Sequence, residues 1–443
     1  MRDKNIKEIT KWIKFFQNND YIERLSQISS FHNYDNYLEY YICEKLNPFM
    51  YIKARLKNQL SKHDAYHKQV DELLSSINVD KCVCVISPYY KELKYDGYCK
   101  RIEQIDREVL NDFTMIYLDY TNLGNRLFSI NQIDQKHIVI KFNSFDEKHV
   151  EYIKRIIDSI KRVYIHSIHV LMPDILNYQL FDSIFDDNNK IVLDLHGAVP
   201  EELKEFDSDE RAQLAKLIET ISLNLSDKII CMSGAMVDYY AAEYSIELNK
   251  LIPVSIIPIK QTYAPEAKKH DDALTAVYAG GIQKWQNIDL IKESICLNKD
   301  RCKFKIFTHD SDALKQSWND ITCNNLTIDT KNNDEIYLEY KDCDFGFLLR
   351  DDTIVNNVAC PTKLMEYLAF GIIPILKNEN IGNFKKLGLN FVSIEDFNKG
   401  IIPDYDQRNT MIIDNYNIFL KIVRQSEDGI ALIKEFFRSV TKN

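Results

Sequence analysis

The stretch CPTKLMEYLAFGIIPI, residues 360–375, places a lysine and a glutamate close behind a proline. Pro361 suits the first turn of a helix, where its missing N–H would have no helical partner. Gly371 suits a left-handed close to that helix. IIPI then reads as a short buried strand in which Pro374 limits the ladder. At about 100° per residue, Leu364, Met365, Leu368 and Ala369 share an apolar face, and Lys363, Glu366 and Tyr367 look outward on the other. A helix N-terminus offers free N–H groups and partial positive charge, so with a lysine added it suits a phosphate. An ordinary surface ion pair at i, i+3 is the competing reading.

Other chemically able residues fall at similar places. AVYAGGIQKWQNIDLI carries a Gly280–Gly281 turn between a strand and a helix. It is not the GxGxxG dinucleotide fingerprint, but it sets backbone N–H groups and Lys284 where a pyrophosphate would fit. DFGFLLR ends on Arg350, and KFKIFTHD ends on Thr308, His309 and Asp310. Lys284, Arg350 and Lys363 are three cations at strand–helix junctions of an acidic protein, which points to a diphosphate site. In KIVLDLHG, His196 and Gly197 follow a strand, with Asp194 on the same strand face. The His196 imidazole could donate to a sugar hydroxyl or transfer a proton; a histidine bonded within its own turn is the alternative. Gly97 precedes a helix and would let a ligand or chain approach closely, although a plain turn glycine fits equally. His166 and His169 read as packing residues, and Ser233 as a helix cap. There is no Walker, GxSxG or HExxH motif.

These residues need an alternating scaffold. KCVCVISPYY, TMIYLDY, KHIVIKF, RVYIHSIHVL, KIVLDLHG and KIICMSG are short β-branched or aromatic runs, mostly separated by helix-like segments. The same alternation restarts after LIPVSIIPI with LTAVYAGG, KFKIFTHD, LTIDT, DFGFLLR and GIIPIL. Such alternation means βαβ units and mostly parallel sheets. The expected fold is α/β, two facing doubly wound Rossmann-like domains, with ligands at the carboxyl ends of the strands. The expected boundaries are a helical extension over 1–78, a first domain over 79–252, a second over 253–420, and a C-terminal helix over 421–443 that returns to the first domain; MIIDNYNIFLKIVRQ and GIALIKEFFRSV read as two helices at the end of the chain. A chain of 443 residues fits two or three domains. A net charge of −10 argues against nucleic acid as the partner. The ten cysteines lack zinc spacing, so they read as buried thiols of a reducing compartment. No signal-like or membrane-spanning run is present, and a cytoplasmic protein is expected. The amphipathic start, with Ile6, Ile9, Trp12, Ile13 and Phe16, could touch a membrane surface but more readily packs on its own domain.

YAGGIQKW, DFGFLLRDDTIVNNVACPTKLMEYLAFGIIPI and LDLHGAVPEE together resemble the GT-B glycosyltransferases, most of all the retaining GT4 family, over roughly residues 80–420. The resemblance implies transfer of a sugar from a nucleotide diphosphate, UDP or GDP above all, to a glycan or lipid-linked acceptor. Bacterial surface polysaccharide assembly is the implied setting, with no further cofactor and no metal. Glu366 would bind the ribose hydroxyls. Lys363, Arg350 and Lys284 would hold the diphosphate, and His196 would contact the donor sugar near the reacting carbon. Gly97, Gly280, Gly281, His309 and Thr362 would complete the donor site. Two departures stand out. The family often carries an acid eight positions before the ribose-binding glutamate, where this chain has Val358. Gln283 and Lys284 replace its usual arginine. A nucleotide-sugar epimerase of the same architecture and a non-catalytic binding protein with a degenerate site are the competing readings.

Overall fold

The computed structural model describes residues 63–92, 97–120, 128–144, 146–172, 178–258, 265–266 and 274–439. The helical segments expected at 6–16 and 37–46 lie outside the described residues. Among the described residues, fourteen strands fall into two sheets. The first holds β1 (Cys82–Ile86), β2 (Thr114–Asp119), β3 (Ser129–Gln132), β4 (His137–Lys141), β5 (Arg162–His166), β6 (Lys190–Leu195), β7 (Lys228–Cys231) and β8 (Leu251–Pro253). Its order is β3-β4-β2-β1-β5-β6-β7-β8, with β3 antiparallel to β4 and β1, β2, β4, β5, β6 and β7 in parallel pairs. Its helices are α1 (His63–Ser76), α2 (Gly97–Glu108), α3 (Glu147–Ile160), α4 (Tyr178–Ile184), α5 (Val199–Phe206) and α6 (Asp209–Leu225), with α7 (Gly234–Tyr244) following β7. Every residue of β1 and β5 is buried. Parallel strands covered on both faces read as unbroken apolar runs, which is why KCVCVI was recognisable.

The second sheet holds β9 (Leu274–Ala279), β10 (Cys302–Phe307), β11 (Leu326–Asp329), β12 (Phe345–Leu348), β13 (Ile373–Leu376) and β14 (Val392–Ser393). Its order is β11-β10-β9-β12-β13-β14, and all its registered pairs are parallel. In order of appearance this is 3-2-1-4-5-6, the doubly wound Rossmann order, whose winding reverses between β9 and β12. The first sheet repeats the pattern across β4, β2, β1, β5, β6 and β7, reversing between β1 and β5. The helices here are α8 (Ile288–Asn298), α9 (Ser311–Ser317), α10 (Asn333–Tyr340), α11 (Ile354–Val358), α12 (Thr362–Phe370), α13 (Ile394–Lys399) and α14 (Tyr405–Arg438).

The chain divides into two compact units. One takes the described residues up to Cys231, Tyr240–Ile252 and the residues from Gly429 onward; the other takes Met232–Tyr239 and Pro253–Asp428. Two boundaries differ from expectation. Met232–Tyr239 belongs with the second unit, held by the Ser233 hydroxyl on the Val358 carbonyl at 2.6 Å and by the Met232 carbonyl on Ser255 Oγ at 2.8 Å. The tail is one 34-residue helix, α14, rather than two. Gly429 lies inside it, costing about 1 kcal/mol against alanine, too little to break a well-packed helix. No described helix is long and apolar enough to cross a membrane.

Candidate functional site

The second unit gathers its cations at the carboxyl ends of β9 and β12, where the winding reverses. Helix α12 starts after Pro361, its N-cap, with no side-chain cap. A proline has nothing to offer the first N–H groups, so the helix head is left open. The far end is fixed by Gly371 at φ 68, where a Cβ would come within 2.7 Å of Pro265 Cβ. Between them, α12 departs from the outward face expected for it: Glu366 and Tyr367 are buried with the apolar residues. Tyr367 lies over Gly346 of β12, where a Cβ would meet its ring at 2.5 Å, and its hydroxyl donates to the Phe347 carbonyl at 3.2 Å. Glu366 accepts from the hydroxyls of Tyr337 at 3.3 Å and Tyr340 at 3.2 Å. No ion pair between Lys363 and Glu366 forms.

Lys363 turns instead toward the end of β9. Its Nζ donates to Gln286 Oε1 at 3.1 Å and sits 4.0 Å from the ring centroid of Tyr278, a cation–π contact. Gly280 makes room for it: a Cβ there would stand 2.5 Å from Nζ. The Gly280 N–H is spent on the Phe307 carbonyl at 2.9 Å, so this glycine supplies space rather than a donor. Burial, with the Arg350 charge beside it, pulls Lys363 down to about 7. Arg350 follows β12. It reaches Asn356 Oδ1 at 3.5 Å, and its buried Nε has no partner. Burial lowers it as well. Among the described residues, neither Lys363 nor Arg350 is in an ion pair. Two neighbouring cations without a carboxylate are costly to bury, and an anion between them would relieve both. The loop bearing Arg350 is anchored by Asn287 Nδ2 on the Leu349 carbonyl at 2.7 Å and by Asn356 Nδ2 on the Asp351 carbonyl at 2.9 Å.

The other expected donor-site residues take varied places. Thr362 is half-buried in the first turn of α12, beside Lys363. Gly281 lies under the folded-back Gln283 amide, which a Cβ would strike at 2.2 Å. Lys284 is exposed in the turn Lys284–Gln286, and the sequence reading passed over Gln286, the residue of that turn that touches Lys363. His309 is exposed beyond the end of β10. Gly97, in the first unit, opens α2, and residues 93–96 before it lie outside the described residues. Val358, standing where the family acid would be, is buried. Replacing Gly280 with alanine should push the Lys363 amine from its seat. Titration calorimetry is then expected to read about tenfold weaker pyrophosphate binding, the loss of one charge-assisted contact, together with a lowered melting temperature from the backbone strain at φ 156.

The first unit places His196 just after β6, in a network the sequence did not reveal. Asp194 receives a bidentate pair from Arg101, at 3.0 Å from Nε and 2.9 Å from Nη2, and a short bond from the Tyr164 hydroxyl. His196 Nε2 lies 3.2 Å from His166 Nδ1 and 3.5 Å from Asp194 Oδ2. Tyr98 packs on both rings, 4.8 Å from His166 and 5.3 Å from His196 between centroids. His166, expected only to pack, is therefore the direct neighbour of His196, and its buried Nε2 has no partner. His169 is exposed rather than packed. Burial pushes the Asp194 carboxyl up, but Arg101 and His196 outweigh it and hold it well below the usual carboxylate range. Burial, then the His196 ring, drives His166 well below its ordinary value. His166, Asp194 and His196 offer ligand atoms within 4.8 Å of one another. A divalent cation there would meet the buried Arg101 guanidinium, which already takes both Asp194 oxygens, so the group fits an ion-pair network better than a metal centre. Arg101, Tyr164 and Tyr98 escaped the sequence reading because their partners are remote in the chain.

Two doubly wound units of this kind make up the GT-B glycosyltransferase fold. Solved structures of that fold superpose on the chain: HepE of Anabaena in complex with UDP-glucose has a TM-score of 0.52 at 11% identity, over 80% of this chain and 99% of its own. A glycosyltransferase from Rickettsia africae gives 0.53 at 12% identity, over 81% and 99%. The trehalose-6-phosphate synthase OtsA gives 0.53 at 11% identity, over 80% and 99%. No protein-family model matches the chain, and no curated protein matches it in sequence.

Proposed function

We infer that this protein is a glycosyltransferase that moves a sugar from a nucleotide-diphosphate donor to a hydroxyl of a glycan or lipid-linked acceptor. The observation that carries this reading is the pair of half-buried cations without an ion-pair partner, Lys363 and Arg350, at the winding reversal of a Rossmann sheet beside an uncapped helix head. That arrangement suits a diphosphate, whose charge grows as the bond to the sugar breaks. Lys363, Arg350 and the α12 N–H groups neutralise the departing diphosphate, and the acceptor hydroxyl attacks the freed carbon. Lys284 reaches in from the surface, and Gly281 and Thr362 line the phosphates. Glu366 takes the ribose hydroxyls and His309 lies on the base side. Protein cations carry the charge work, so no metal is invoked. UDP is the favoured donor nucleotide, because HepE was crystallised with UDP-glucose. Retention of configuration, a cytoplasmic setting with peripheral membrane contact, and surface polysaccharide assembly follow from the GT4 resemblance.

The test is a thermal-shift panel of UDP, GDP, CDP, ADP and CMP on wild type and on Glu366→Ala. A ligand at one hundred times its dissociation constant stabilises by about 2.7 kcal/mol. One nucleoside diphosphate is expected to raise the wild-type melting temperature and to lose most of that effect in the variant. Silence across all five nucleotides would overturn the reading in favour of a degenerate site.

A further inference from the structure

Glu219, on α6, is wholly buried in the first unit and is not among the residues assigned to the donor. Among the described residues no cation pairs with it. Lys216, one turn earlier, is engaged elsewhere: its Nζ binds Glu243 of α7 at 2.8 Å, lies 3.9 Å from Glu201 of α5 and sits 4.0 Å from the centre of the Tyr244 ring. Glu219 instead meets two hydroxyls of α7. Tyr244 reaches its Oε2, and the Tyr240 hydroxyl lies 2.7 Å from its Oε1. The same Tyr240 oxygen lies 3.1 Å from the Gly197 carbonyl, in the turn after β6 that carries His196. The two rings stack, with centroids 5.4 Å apart and planes 16° from parallel, so α7 presents both hydroxyls together. Three oxygen–oxygen contacts thus run in a row: Tyr244 to Glu219, Glu219 to Tyr240, Tyr240 to Gly197. A phenol has one proton to donate and an ionised carboxylate has none. The two tyrosines therefore bring two protons to three contacts, and an ionised Glu219 would claim both, because a charged acceptor makes the stronger bond. The Gly197 carbonyl would then face a lone pair of Tyr240. A protonated Glu219 supplies the missing proton. It donates to Tyr240, Tyr240 is freed to donate to Gly197, and Tyr244 still donates to the other carboxyl oxygen. Burial lifts the Glu219 carboxyl to about 7 against the bonds from Tyr244 and Tyr240; Glu201 adds to the rise and Lys216 subtracts from it.

We propose that Glu219 is a buried carboxylic acid whose proton, relayed through Tyr240, fastens the Gly197 carbonyl and so positions the turn that carries His196. When the proton is lost, Tyr240 gives its hydroxyl to the carboxylate and the turn is released. Glu219 and Tyr240 are positioning residues. The charged and titratable groups around Glu219 come from every element packed on α6. Glu201 belongs to α5, Lys216 to α6 itself, and Tyr240, Glu243 and Tyr244 to α7. β6 brings Asp194, which Arg101 holds in an ion pair, and the turn Ile168–Leu171 brings His169, which is exposed. The proposal goes beyond the donor reading and does not rest on it, because its readout needs no ligand.

The experiment is magnetic resonance on the full chain, with carbon-13 in the glycine carbonyls and nitrogen-15 in the alanine amides. The sequence has two Gly–Ala steps, Gly197–Ala198 and Gly234–Ala235, so two signals report and the second serves as control. Spectra are taken across a pH series spanning neutrality for wild type, Glu219→Gln and Tyr240→Phe. In wild type the Gly197–Ala198 signal is expected to move in a step near neutral pH while the control stays. Glu219→Gln carries a side-chain N–H that donates to Tyr240 at every pH, so its signal should lack the step and keep the wild-type acidic position. Tyr240→Phe should also lack the step and keep the wild-type alkaline position. A Gly197–Ala198 signal that does not move in wild type would overturn the proposal. So would a step that Glu219→Gln reproduces, because His196, the neighbour of Gly197, would then be its source. A merely structural Glu219 would lower the melting temperature of Glu219→Gln and leave the step in place. Should Glu219→Gln fail to fold, Tyr240→Phe decides alone, and a step that persists in it would overturn the proposal.

Discussion

Lys363→Ala is expected to lower sugar transfer by about 10²–10³-fold, the usual cost of deleting one preorganised charge contact to a leaving group, without lowering the melting temperature of the ligand-free protein. The two effects have one cause. Lys363 is half-buried next to Arg350, with Gln286 and the Tyr278 ring as its contacts. Its ammonium is therefore an expense in the empty site and an asset in the filled one, the usual trade of stability for activity. Its position at about 7 adds a signature in pH. A group whose value is depressed by folding destabilises the fold when charged, so stability falls as pH drops from about 10.5 to about 7 and is level below that, and Lys363→Met should flatten the fall. A bound diphosphate raises Lys363 again and takes up a proton. Affinity should therefore be level below about pH 7 and decline as pH rises above it, approaching tenfold per unit. Lys363→Arg, charged at every working pH, should lose the dependence. Calorimetry of a UDP-sugar in buffers of different ionisation enthalpy reads the proton directly. Uptake of none at pH 8 would contradict the placement of Lys363 on the phosphates.

Asp194→Ala should destabilise the first unit by about 3–5 kcal/mol, because it removes the bidentate carboxylate from a buried guanidinium. Arg101 and Asp194 are both wholly buried, and the Tyr164 hydroxyl shares the carboxylate. Urea unfolding checks the size of the loss from the midpoint shift at constant slope. The double variant Arg101→Met, Asp194→Leu should recover a good part of it, since an apolar pair of similar volume needs no desolvation. A loss under 1 kcal/mol for Asp194→Ala would contradict a dominant role of this ion pair in holding the guanidinium. The network also bears on activity. His196 is set by His166 and Asp194, so the double variant should stay folded yet transfer sugar poorly.

Much of this architecture can be read from the chain because doubly buried parallel strands must be apolar throughout. CVCVI, KIVLDL and LTAVYA stand out for that reason, and the residues that follow them are where the candidate site lies. β3, β8 and β14 were not legible. They have four, three and two residues, and β3 is half exposed, so no period or run is long enough to register. The outward face assigned to α12 failed for a different reason. Helical periodicity sorts residues by polarity, and a tyrosine lying on a glycine or a carboxylate held by two hydroxyls is buried through partners elsewhere in the chain. His166 shows the same limit. Nothing local distinguishes it from a packing histidine; Arg101, 93 residues before Asp194, makes the network, and that distance is visible only after folding.

The division of the chain bears on how the protein is made. The first unit is completed by residues from Gly429 onward, where the Phe437 carbonyl takes Arg162 Nε at 2.9 Å and Arg438 pairs with Asp112. On the ribosome these arrive about 200 residues after β7, a wait of roughly 10–40 s at 5–20 residues per second. Meanwhile the first unit has left the tunnel with its closing helix missing and Arg162 without that acceptor. The second unit has no such wait for its borrowed segment, because Met232–Tyr239 is synthesised before the rest of it. Chains ended at residue 428 and held on the ribosome by a linker long enough to clear the tunnel should therefore protect the second unit from protease before the first, reversing the usual order in which an N-terminal domain matures ahead of its successor.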